Sequence, residues 1–509
     1  MTTIDLRLSR RGWRGAALGG LLLLIAAAAL AVLPLWLAAA LAGGLLVVGL
    51  TLLEPAFGLY AAILSVPVQQ LVALPAGLTV TQAVVVLAFA AWTLRVLAHP
   101  DRSLNLRLLA PWLLLLGTQL LSVALTPYSK IEGVLQVSRW IAAFLAFVLT
   151  LGTITGRWRA WGLMIALLAG PAIAALIGLY QFVAPDAAPA SFLILGGRFA
   201  RASATFGKPN PFAGYLNMAW PLALALAAYF FAQALSQREG VRSQRPTADS
   251  AHRADTPAAT LPHRPNLLTG WLPALLFAGV TLLLLAGLFA SYSRGGWIGA
   301  VVGLGALALV GGRRTALLTG GVVLVGLLVG LLGAFSALPT VVTDRLAPIT
   351  SNLRIFDAGE VAITDENFAI VERMAHWQAG WRMWRASPLT GIGAGNYNVA
   401  YDDFYVAPWS ISQGHAHNYY IHTLAESGLL GLLAYALLIG LILREAIRAR
   451  RSLRGTAWGA AAAGVCGIIA AVAGHNVFEN LHVLNLGIQL SGAWGLAIVV
   501  QRLGEERTP

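Results

Sequence analysis

The feature that most constrains this chain is the return, from residue 15 to residue 502, of nearly charge-free stretches about twenty residues long. Such a stretch closes its backbone hydrogen bonds on itself as a helix and spans roughly 30 Å of hydrocarbon. Candidate spans fall at 15–33, 34–53, 56–73, 78–98, 109–126, 135–154, 158–183, 211–234, 270–290, 295–311, 315–338, 417–447, 455–475 and 482–502. Pro67 and the pair Gln69-Gln70 interrupt the third, and 295–311 is short. The expected fold is all-α, a polytopic transmembrane helix bundle of 12–14 spans with one large, partly helical extracytoplasmic loop. Apolar types make up 58% of the 509 residues and charged types 11%, against about 25% charged in soluble domains. That excludes a soluble enzyme, a disordered scaffold and a disulfide-built secreted module.

Arginine placement sets the orientation. With the N-terminus inside and the spans alternating, 23 of the 34 basic residues fall on the inner side. The chain then divides into a bundle over 1–338 with a polar cytoplasmic loop at 235–268, an extracytoplasmic loop over 339–416, and C-terminal spans over 417–509. Both termini are expected in the cytoplasm. An error in one adjacent pair of spans would leave the arginine pattern intact, so twelve spans fit as well as fourteen. The 339–416 loop is net acidic, and Ile370, Met374, Trp377, Trp381 and Trp384 recur in it at helical spacing. This stripe is expected to lie on the membrane with its tryptophans among the headgroups.

The charges that break the positive-inside trend are the informative ones. Arg294 stands in Ser291-Tyr292-Ser293-Arg294-Gly295-Gly296-Trp297 at the outer junction of two apolar runs, where glycines let backbone or ligand approach closely. Arg198 and Arg201 precede Ser203, Thr205, Lys208 and Asn210 in an irregular outer segment, expected to be re-entrant through 190–195. Taken singly, such arginines snorkel to lipid phosphates. Taken together, guanidinium forks suit a shared pyrophosphate.

Three of the nine histidines lie in Gly414-His415-Ala416-His417-Asn418-Tyr419-Tyr420-Ile421-His422, where the loop enters a span. His417 is expected at a helix N-terminus, whose dipole disfavours positive charge, and a neutral imidazole there can take a proton from a hydroxyl. His422 and Glu426 are four apart and can pair. A zinc set of His415, His417, His422 and Glu426 is disfavoured because no H-E-x-x-H spacing is present, and a purely structural histidine cluster rivals the catalytic reading. Glu479, in Asn476-Val477-Phe478-Glu479-Asn480, either lines the same cavity or caps a helix. Gly391-Ile392-Gly393-Ala394-Gly395 reads as a turn, not a nucleotide loop. Neither lysine, Lys130 or Lys208, sits in a G-K-[ST] step, and Cys466 is alone. No cofactor, metal, nucleotide or nucleic acid is expected.

His417-Asn418, nine residues, then Gly428-Leu429-Leu430-Gly431 resembles the signature of the O-antigen ligase and O-antigen polymerase superfamily. Glu372-Arg373, Trp377, the run from Pro388-Leu389 through Gly391, Gly393 and Gly395-Asn396-Tyr397, Ser293–Trp297 and Arg201 through Pro211 are also similar to that family, so the resemblance covers roughly 195–447. It implies a C-type glycosyltransferase fold and an enzyme of the inner membrane. The implied reaction is metal-independent transfer of a glycan from undecaprenyl pyrophosphate to an acceptor hydroxyl outside, with inversion. His417 would be the general base, Arg201 and Arg294 would hold the pyrophosphate, and Arg198, Arg373, Asn418 and Glu426 would support substrate binding. The acceptor stays open: lipid A–core, growing polymer, exopolysaccharide or protein. A lipid-linked glycan transporter is the rival from another class; it would show repeats and discontinuous helices at midplane, and no repeat is evident.

Overall fold

A computed structural model describes residues 34–71, 77–99, 108–194, 196–243, 267–313, 356–364 and 367–505, with a few isolated positions besides. The expected span 15–33, nearly all of 315–338, and loop residues 244–266 and 339–355 lie outside the described residues. In chain order the helices are α1 Leu35–Leu53, α2 Pro55–Ser65, α3 Val80–Ala98, α4 Leu109–Leu125, α5 Lys130–Thr153, α6 Arg157–Val183, α7 Pro209–Asn217, α8 Trp220–Ser243, α9 Leu267–Ala290, α10 Arg294–Gly311, α11 Phe368–Ala386, α12 Tyr401–Phe404, α13 Tyr419–Ser452, α14 Ala457–His475 and α15 Leu486–Glu505. The only strands among the described residues are β1 Leu193–Ile194 and β2 Phe199–Ala200, paired antiparallel. Among the described residues, nine helical segments are long and apolar enough to cross a membrane, and three shorter apolar ones accompany them. The protein is a multi-pass all-α bundle, and a helix stands at each of the twelve described positions where a span is expected, nine of them long enough to cross.

Local chemistry sets the helix ends. Thr79 and Gln82 form a capping box at α3, and Ser129 and Thr456 cap α5 and α14. Pro221 stands in the first turn of α8, so the expected span 211–234 is two helices, α7 and α8. Asn217 bridges this break: its amide donates to Gly296 O at 3.0 Å and its oxygen accepts from Trp220 Nε1 at 2.8 Å.

Glycines decide how closely the central helices meet. A Cβ on Gly299 of α10 would come within 2.6 Å of Ala471 O on α14, and one on Gly303 within 3.2 Å of Gly467 O. Lipid gives helices no hydrophobic drive to associate, so this small-residue seam supplies the packing. It also seats the first turn of α10, which begins at Arg294, beside the last turn of α14.

The two ends of the bundle differ. At one, Glu54 joins Arg159 at 2.7 Å and Arg95 at 3.3 Å, tying together the ends of α1, α3 and α6. Arg450 donates to Val310 O and Gly311 O at 2.9 and 2.6 Å, and Arg502 to Leu151 O at 3.3 Å and to Ile154 O. Arginines thus satisfy carbonyls that helix C-termini leave open. The opposite end carries the loops after α6, α9 and α14 and the long segment before α13.

That segment folds onto α13. Helix α13 has a break at Gly428 (φ 63°, ψ −166°), where Ile392 N and Gly393 N donate to Ala425 O and Glu426 O, and Leu429 N and Leu430 N donate to Pro388 O and Leu389 O. The Gly391–Gly395 run is a turn, with positive φ at Gly391, Gly393 and Gly395. The face of α11 buried against the protein is Val371, Met374, Ala375, Ala379, Gly380 and Met383, and one expectation is corrected below. A Cβ on Gly380 would lie 2.8 Å from Ile421, so small residues are needed where α11 meets α13, and Trp381 and Trp384 pack on each other at 4.5 Å outside. Residues 190–194 form a 3-10 turn leading into the β1–β2 hairpin instead of a re-entrant stretch.

Candidate functional site

Polar groups converge at the loop-bearing end. Asn418 caps α13, its Oδ1 accepting from Tyr420 N and Ile421 N at 3.0 Å each. The next amide, Tyr419 N, donates to Asn476 O at 2.8 Å, which pins the start of α13 to the loop after α14. His417 therefore lies one residue before the cap, with φ 51°, a left-handed conformation uncommon for any residue but glycine. Its N–H donates to His415 Nδ1 at 3.1 Å and its carbonyl accepts from Trp377 Nε1 at 3.4 Å. These contacts over-determine the strained backbone, a pattern that clusters at functional sites.

Glu479 is the group around which the histidines gather. It is 3% exposed, with His415 Nε2 at 3.2 Å and His417 Nδ1 at 3.6 Å from Oε1. Asn480 N donates to Oε1 at 3.1 Å and Asn210 Nδ2 to Oε2 at 2.5 Å. Burial alone would raise this carboxyl, but His415, His417 and Arg373 outweigh it and hold it well below the ordinary carboxylate range. Burial pushes His415 down to about 3, against the pull of Glu479, so its ring is neutral. His415 Nδ1 accepts a backbone N–H, so its proton sits on Nε2 and points at Glu479. His415, His417 and Glu479 offer ligand atoms within 4.8 Å of one another, a set different from the disfavoured one with His422 and Glu426. Ligation at His415 Nε2 would require the other tautomer, with Nδ1–H facing the His417 N–H. The arrangement suits two imidazoles gathered on a carboxylate better than a metal.

The other expected residues fall as follows. Arg373, on α11, acts electrostatically on both Glu479 and His475. Arg294 opens α10, capped by Ser293 Oγ on Gly296 N. A Cβ on the adjacent Gly295 would lie 2.9 Å from His475 and 3.1 Å from Phe478, so this turn abuts the Glu479 loop. Arg201 follows β2; its Nε donates to Ser291 O at 3.3 Å, in the turn that leads to Arg294. A cavity of about 410 Å³ beside Arg201 is lined by Tyr180, Gln181, Asp186, Phe192 and Ser203, among others. Arg198 lies on the exposed turn of the hairpin, over its neighbour Phe199. Glu426 is buried, and its carboxylate accepts from Gly395 N at 2.9 Å and Tyr397 N at 3.0 Å, with His422 Nε2 at 3.4 Å. It clamps the glycine turn to α13. Asn210 and His376 escaped the sequence reading as site residues. The ring of His376, buried under Tyr401, stands 5.6 Å from that of His417.

Residues 279–436 match a family model described as O-Antigen ligase. This stretch is thus similar to the O-antigen ligase family. The matched stretch holds Arg294, Arg373, His417, Asn418 and Glu426; Arg201 and Glu479 lie outside it. No curated protein matches the chain.

Proposed function

We propose that the protein is a metal-independent, inverting glycan ligase of the cytoplasmic membrane. It transfers a glycan from undecaprenyl pyrophosphate to an acceptor hydroxyl at the extracytoplasmic face, and both termini lie in the cytoplasm. His417 Nε2 takes the proton of the acceptor hydroxyl as its oxygen attacks the anomeric carbon. The bond from that carbon to the pyrophosphate breaks from the opposite face, and its electron pair leaves with the phosphate oxygen. Arg201 and Arg294 neutralise the charge that develops there, in a site screened from bulk water where such pairing counts most. Arg198 and Arg373 add positive charge toward the donor, while Asn418 and Glu426 hold the frame that presents His417. The donor carries the energy of the reaction in its pyrophosphate linkage.

One observation carries this reading: the turn that opens with Arg294 abuts the loop whose Glu479 contacts His417, and Arg201 bonds to the preceding turn. The family match supports the reaction class. The test is transfer by purified protein in lipid, with polyprenyl-pyrophosphate-linked glycan and three acceptor kinds: lipid-linked core, polymer chain and protein. We expect glycosidic product and free polyprenyl pyrophosphate, loss of both in His417→Ala, strong impairment in Arg294→Lys because the fork is gone, and no effect of chelator. Translocation of the donor without product would replace the ligase with a transporter. Undiminished transfer by His417→Ala would remove the base.

A further inference from the structure

We infer that Glu479 is a positioning residue for His417, holding its ring with Nδ1–H turned inward so that the Nε2 lone pair is left for the acceptor hydroxyl. The inference rests on the general-base reading above and adds to it a residue outside the stretch that matches the ligase family.

Three features support it. His417 Nδ1 is buried, makes no hydrogen bond among the described residues, and lies 3.6 Å from Glu479 Oε1. The side chain keeps 15% exposure, so whatever solvent it meets is met away from Nδ1. A proton on Nδ1 gives that buried atom its partner and leaves Nε2 as the basic nitrogen. Catalytic hydrogen bonds of this kind are often long without substrate and shorten when it binds.

The carboxylate is itself fixed. Asn480 N–H and the Asn210 amide donate to it and His415 Nε2 lies 3.2 Å from it, from three separate segments, so every neighbour favours the ionised form. An ionised, immobile carboxylate orients the imidazole and stabilises the imidazolium formed when Nε2 takes the acceptor proton. The proton stays on the ring; Glu479 does not receive it. His415 also grips the His417 backbone through Nδ1, so one histidine holds both the base and its carboxylate. The charged and titratable groups facing this pair are His376 and Arg373 from α11, His475 from α14, Lys208 from the loop before α7, and His422 on α13.

The test is the pH profile of kcat for transfer, using the full chain in lipid, for wild type, Glu479→Gln, Glu479→Asp, His417→Ala and the double variant. Glu479→Gln should lower kcat by about 100-fold or more, with KM within about twofold, and should move the acidic limb of the profile to lower pH. Glu479→Asp should recover part of kcat and return the limb toward its wild-type place. On the His417→Ala background Glu479→Gln should cost almost nothing, because its route of action is already gone. An unmoved limb in Glu479→Gln, or an equal loss on both backgrounds, would overturn the positioning role and leave a structural cap. Full activity of His417→Ala would instead overturn the general-base reading on which the inference stands.

Discussion

Gly428→Ala is the substitution whose cost can be worked most directly from the structure. The residue interrupts α13 at φ 63° and ψ −166°, a region of backbone space that is essentially glycine's alone. An alanine forced there costs about 1–3 kcal/mol in backbone strain. Its Cβ would also overlap the Leu389 carbonyl, which belongs to the turn bonded to the break. Relief requires that segment to withdraw, which loses the Leu429 N to Pro388 O and Leu430 N to Leu389 O bonds of 2.9 and 3.1 Å. At about 1 kcal/mol each, the total is about 3–5 kcal/mol, a fall in melting temperature of about 3–5 °C in a chain of this length. The assay is thermal unfolding in detergent, with Gly440→Ala as internal control. Gly440 lies in the same helix, faces outward, and has nothing within 4 Å of an added Cβ, so its alanine variant should change stability by about 1 kcal/mol or less. Equal melting of the two variants would refute the account of the break and of the family's glycine step.

Further outcomes follow from other contacts. Glu54→Gln should destabilise by about 1–3 kcal/mol, since Arg95 and Arg159 then face each other without their shared anion; melting at low and high salt should show the difference shrinking with salt. Glu426→Ala should lower melting more than it lowers kcat per folded molecule, because the carboxylate holds two buried backbone N–H groups; a catalytic loss without a melting shift would contradict the clamp. His415 is depressed by burial to about 3, against an unfolded value near 6.5, so the unfolded chain binds the extra proton between those limits. Stability is full above pH 6.5 and declines as pH falls below it, by at most about 1.4 kcal/mol per pH unit for this group. His415→Gln should flatten that slope, read as melting temperature between pH 7.5 and 5.

The spans were legible because hydrocarbon leaves a helix no alternative to a long apolar run. Breaks inside a span were less so. Pro221 marks one, but Gly428 reads as any other membrane glycine until its backbone angles are known. The face of α11 that meets α13 was not legible, because that approach demands small residues such as Ala379 and Gly380, which carry no apolar stripe of their own. Around the candidate site, His417, Arg294 and Arg201 stood out through their unusual place outside the membrane or the motif they share. Glu479 was visible but could not be assigned. Its partners lie 62 residues away or more, at His417, His415 and Asn210, and no local spacing joins them. Glu426 showed the reverse: its spacing to His422 was plain, while the backbone amides that occupy its carboxylate come from a loop with no helical register to it.

The most direct measurement is a structure of the protein with undecaprenyl pyrophosphate bound. The account predicts both phosphates within hydrogen-bonding reach of the Arg201 and Arg294 guanidinium groups, and the anomeric position within one sugar's length of His417 Nε2. Phosphates seated beside Arg95 and Arg159, or in a crevice that His417 does not border, would contradict it.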